Sequence, residues 1–94
     1  MPYIKQNQRQ QVDTEIQELA HTIKDLVKDL ESPNSLPGVL NYTITQLILE
    51  TIPNKSYSNI NMMMGMLECA KQEFYRKYAA PYEDEKIAEN GDVY

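Results

Sequence analysis

The sequence holds one cysteine and one histidine, and no apolar run approaches the ~18–20 residues that span a bilayer. Each scarcity removes a class of protein. With Cys69 alone, no intrachain disulfide can form, so a disulfide-stapled secreted scaffold is excluded and a reducing cytoplasm is expected. His21 by itself cannot build a Cys₂His₂ zinc site. A His21–Cys69 nucleophile pair would need the fold to join them, and Cys69 falls on an apolar face. The chain has no G-x-S-x-G, P-loop, G-x-G-x-x-G or H-E-x-x-H pattern. The polar opening lacks an apolar core, so no signal peptide is expected there. The expectation is a protein that is not an enzyme and takes no metal and no cofactor.

Ninety-four residues make a single domain, 1–94, that buries roughly 60–65% of its unfolded surface. So modest a core gains from a second subunit. The formal net charge of −5 argues against general nucleic-acid binding, whose affinity comes from cations that neutralise phosphates.

The apolar spacing predicts an all-α, three-helix bundle-like domain with a short C-terminal helix and extended ends. Helix one is placed at 14–31, with Asp13 as N-cap and Ile16, Leu19, Ala20, Ile23, Leu26, Val27 and Leu30 as its inner face. Val12 is positioned to staple onto Ile16 or Gln17. Two prolines and a glycine between Ser32 and Gly38 predict a loop. Helix two follows at 39–52. Its β-branched residues also suit a strand, but Leu40, Ile44, Leu47, Ile48 and Ile52 do not alternate by two. Pro53 to Ser56 is the next break, with Ser56 or Ser58 free to cap helix three at 57–79.

Ile60, Met63, Met64, Leu67, Ala70, Phe74 and Tyr78 form the main seam of helix three. Met62, Met66 and Cys69 widen it, which predicts burial on more than one side and hence a homo-oligomer. Pro81 should end this helix, and a short helix at 82–89 should close on the Asn90-Gly91 stop. Asp92-Val93-Tyr94 is then an extended end that pairs with Tyr3-Ile4.

The residues left without a core role are Tyr75, Arg76, Lys77, Tyr78, Tyr82 and Tyr94. A guanidinium beside aromatic rings can hold a phosphate and stack a base. On a helix, Glu68, Lys71, Gln72, Tyr75 and Arg76 share a face, and the same residues also read as a solvated face with Glu68–Lys71 or Glu73–Lys77 pairs. The tail carboxylates Glu83, Asp84, Glu85, Glu89 and Asp92 form no calcium-loop pattern. They read as a solubilising tail, a surface for a basic partner, or groups that fold back onto Arg76 and Lys77.

Four stretches carry a resemblance: Met1-Pro2-Tyr3-Ile4, Gly38 to Thr45, Gly65 to Arg76, and Ala80-Pro81-Tyr82-Glu83-Asp84-Glu85-Lys86-Ile87-Ala88-Glu89-Asn90-Gly91-Asp92-Val93-Tyr94. They resemble a small uncharacterised family of bacteria, archaea and tailed phages, and the likeness covers nearly the whole chain. It transfers no reaction and no ligand. The connection Ser32–Pro37 is longer than the family pattern.

What the resemblance implies is a class of behaviour. Small acidic phage-associated proteins without enzymatic motifs often act by binding. On that reading the chain is a homo-oligomer that sequesters a small anionic, nucleotide-like immune signal at a subunit interface, in the cytoplasm of the host where it is phage-encoded. The alternative is an inhibitor or adaptor that binds a host protein through the acidic surface. Neither reading involves a membrane.

Overall fold

The computed structural model describes residues 4–32 and 34–94, and among these the chain is all-helical, without a strand. Met1, Pro2, Tyr3 and Pro33 lie outside the described residues, and with them the expected Tyr3-Ile4 pairing and part of the first loop. The chain forms two compact units, Met1–Glu50 and Thr51–Tyr94. Among the described residues three helices make up the fold: α1 (Gln6–Asp29), α2 (Ser35–Thr51), and a long helix assembled from α3 (Tyr57–Phe74), a π-helical turn (Tyr75–Ala79) and α4 (Ala80–Asn90).

In the first unit, α1 begins two turns earlier than the apolar pattern predicts. Gln6 to Val12 holds good helix formers and no glycine or proline, so the helix extends through a stretch with almost no apolar periodicity to betray it. Asp13 therefore lies inside α1 and is not its N-cap. Lys5 takes the cap position, and its backbone N–H donates to the Gln8 side chain at 2.9 Å. Val12 is likewise a helical residue, not a staple preceding the helix.

The helix ends at Leu30, whose N–H returns to the Leu26 carbonyl, and Glu31 follows with φ 54°. α2 starts at Ser35, four residues ahead of the expected start, so Leu36, Pro37 and Gly38 are helical and not loop. Proline is tolerated in a first turn, where its missing N–H has no intrahelical acceptor. Ser35 closes this start by donating its hydroxyl to the Ser32 carbonyl at 2.7 Å.

The β-branched residues of α2 fit the helix. Thr43 donates its hydroxyl to the Val39 carbonyl at 2.8 Å, which satisfies the side chain within the helix. α1 and α2 share an open apolar groove, lined on one side by Ile16, Leu19, Ala20 and Ile23 and on the other by Leu36, Leu40, Ile44 and Leu47. Ile23, at 8% exposure, is the only buried hydrophobic residue among those described.

The second unit starts at Thr51, the last residue of α2, and Pro53 follows two residues on. Ser56 caps α3 as its type predicts, its hydroxyl accepting the Asn59 N–H at 3.1 Å. The Asn59 amide donates in turn to the carbonyl and the side-chain oxygen of Asn54, at 3.0 and 2.9 Å, and so ties the loop to the helix.

Pro81 does not end the helix. In a regular α-helix its ring would strike the carbonyl four residues back, that of Lys77. Here the turn Tyr75–Ala79 is widened to π geometry, with the Ala80 N–H bonded to the Tyr75 carbonyl, and the helix runs on through Pro81 to Asn90. The expected breakpoint is thus a bulge inside one continuous helix. Gly91 then stops it at φ 84°, a conformation that favours glycine, with its N–H on the Ile87 carbonyl at 2.8 Å. No helix among the described residues is long and apolar enough to cross a membrane.

Candidate functional site

The widened turn coincides with the cluster the sequence leaves without a core role. Eight residues on an α-helix lie about 80° apart around the axis. A π turn absorbs one residue, so Tyr75 and Glu83 come to within about 20° of each other. The Tyr75 hydroxyl donates to Glu83 Oε1 at 2.5 Å. That carboxylate holds the phenol above its usual pKa, first by accepting the hydrogen bond and then by its charge. This contact replaces the expected return of the tail onto Arg76 and Lys77. Spacing alone hides it, because eight-residue partners do not align on a regular helix.

Lys71, Gln72, Glu73, Tyr75 and Arg76 line an open groove of about 510 Å³ on this face. Its cations are braced by neighbouring carboxylates. Lys71 Nζ lies 3.1 Å from Glu68, as the sequence pairing predicts. Arg76 lies 3.4 Å from Glu73, so Glu73 pairs three residues on and not with Lys77. Glu68 is held below its ordinary pKa, chiefly by the hydrogen bond from Lys71 and next by that from Gln72.

The other expected residues lie elsewhere on the same unit. Tyr78 stacks on Phe74, with ring centroids 5.3 Å apart and planes 13° from parallel. Both rings are open, at 63% exposure for Phe74 and 70% for Tyr78. Phe74 is therefore a surface residue in this chain and not the core residue its spacing implies. Tyr82 and Tyr94 line a second groove, of about 350 Å³, with Glu83, Lys86, Ile87 and residues 90–93. Lys86 sits 5.3 Å over the Tyr82 ring and 3.2 Å from Glu89. Lys77 lines neither groove. The Tyr75–Glu83 bond links the two grooves, since each residue lines one of them.

These features define a small all-helical protein with an aromatic and charged face on a bulged helix. The chain belongs to the family described as Domain of unknown function (DUF6899), whose pattern it matches over residues 1–93. No curated protein and no solved structure matches it at a significant level.

Proposed function

We propose that the protein is a non-enzymatic, homo-oligomeric binding protein that sequesters a small anionic, nucleotide-like ligand on the face around the widened turn. The observation that carries this reading is the position of the π turn at Tyr75–Ala79. Such bulges recur at functional sites, and this one adjoins the groove of Lys71, Gln72, Tyr75 and Arg76. A phosphate would exchange with Glu73 on the Arg76 guanidinium, whose fork takes two oxygens at once. Tyr75, which lines the groove with Arg76, offers a face for a ring.

Calorimetry with cyclic dinucleotides and ADP-ribose derivatives tests this. Arg76→Ala is expected to weaken binding by roughly 10- to 100-fold, the worth of hydrogen bonds to a charged group. Absence of heat with all of these probes, or an unaltered Arg76→Ala titration, would sink the reading.

A second reading rests on α4, whose described residues from Pro81 onward are all exposed and include Glu83, Asp84, Glu85 and Glu89. It makes the protein an adaptor for a basic partner protein. Salt-sensitive capture of one partner, lost on deleting 83–94, would favour this reading.

A further inference from the structure

One stripe on the long helix has a regular spacing and no cover. Ile60, Met64, Leu67, Lys71, Phe74 and Tyr78 follow steps of four, three, four, three and four residues. The Phe74–Tyr78 stack shows that the stripe continues into the widened turn. The five apolar members are all exposed, Met64 at 63%. Alternation of three and four residues is the a/d pattern of a helix that packs against another helix.

We propose that this stripe is the seam between two copies of the chain, paired antiparallel. Charge selects the occupant and its direction. Lys71 is the one cation in the stripe, and its ammonium already reaches Glu68 beside it, at 3.1 Å. A parallel in-register pair sets two Lys71 ammoniums against each other. An antiparallel pair sets Lys71 over the partner's Leu67 and brings its ammonium beside the partner's Glu68. The same register faces Ile60 with the partner's Tyr78 and Met64 with the partner's Phe74, so every layer is an a–d pair, and the outer layers set a large aromatic opposite an aliphatic side chain.

The size is sufficient. The stripe runs about 27 Å along the axis, and pairing two of them removes on the order of 1,000–1,200 Å² in total, the size of a weak, reversible interface. Tyr75 flanks the stripe beside Tyr78, so the groove it shares with Arg76 comes to lie at the edge of the seam, once at each end of the pair. The ligand would then bind beside the partner's Ile60. This last point alone depends on the function proposed above; the pairing does not.

The experiment uses the full chain without ligand, so it separates the pairing from the ligand reading. Light scattering at high micromolar concentration is expected to give twice the monomer mass. Met64→Glu is expected to weaken the pair roughly 100-fold or more by burying a carboxylate at two symmetric places. Lys71→Glu is expected to weaken it roughly tenfold, and adding Glu68→Lys to restore it. Circular dichroism checks that each variant keeps its helix content.

Orientation is read by disulfide trapping in a Cys69→Ser background. Ile60→Cys mixed with Tyr78→Cys should give a linked dimer, and each alone should not. A monomeric wild type, with the stripe open to a different protein, overturns the proposal. So does a dimer indifferent to Met64→Glu, or one in which Tyr78→Cys links to itself.

Discussion

Glu31 bears the sharpest local cost in the chain. Among the described residues it is the only non-glycine with positive φ, 54°, and it follows the last turn of α1 where glycine is the usual occupant. A side chain in that conformation costs about 1–2 kcal/mol, part of which glycine returns through its freer unfolded state. Glu31→Gly is therefore expected to raise stability by about 0.5–1 kcal/mol, read from urea denaturation.

Tyr75 offers a second test at this scale. Its pKa is raised above the ordinary 10.0 by Glu83, so the fold favours the neutral phenol. The stabilisation is complete below the unfolded value of 10.0 and is lost as pH rises through the higher folded value. Glu83→Gln should bring the Tyr75 titration back toward 10.0, as followed by ring chemical shifts in NMR. Glu68 runs the other way. Its lowered pKa gives a contribution present above 4.5 that is lost as pH falls through the folded value. Both side chains are on the surface, so each contribution is screened by solvent and salt.

For the helices, the test falls on Pro81. Replacing it with alanine restores an N–H and removes the ring that the widened turn accommodates. Pro81→Ala is expected to return the segment to α geometry and turn Glu83 about 80° away from Tyr75. Backbone shifts across Tyr75–Ala80 would become those of a plain helix, and the Tyr75 pKa would fall as it does in Glu83→Gln.

Much at this scale was legible from short-range chemistry. Ser56 announces a cap, Pro53 and Gly91 announce stops, and the Ile16-to-Leu30 stripe announces α1. The errors have physical sources. Gln6 to Val12 is helical but polar, so periodicity cannot find it. Pro37 breaks a helix interior yet fits a first turn, and sequence alone does not say which position it occupies. Pro81 has the same ambiguity, resolved here by a backbone bulge that no side-chain pattern encodes.

In the molecule as a whole, the sequence located the aromatic and charged cluster but not its division. Tyr75 and Arg76 share one groove, Tyr82 and Tyr94 share another, and the extra residue in the turn decides which partners meet. Ile23 is the only buried hydrophobic residue among those described, so little apolar surface is hidden within the single chain. If folding and pairing are linked through the helix seam, stability must follow protein concentration. A tenfold rise in concentration is expected to raise Tm by about 3–4 °C for a pair of chains this size, measured by thermal scans at several concentrations.

The turn at Tyr75–Ala79 also works as a phase step between two angular frames. Residues before it keep the frame of the seam; residues after it, including the acidic run from Glu83, keep their own, offset by about 100°. Deleting one residue within the turn would restore α geometry and leave both the stripe from Ile60 to Phe74 and the acidic end in their present frames, because the turn already absorbs that residue. Deleting one residue between Tyr57 and Phe74 would instead break the stripe in two. The aim of the C-terminal face thus survives the loss of one residue at the turn, and the surface that meets the partner stays as it is.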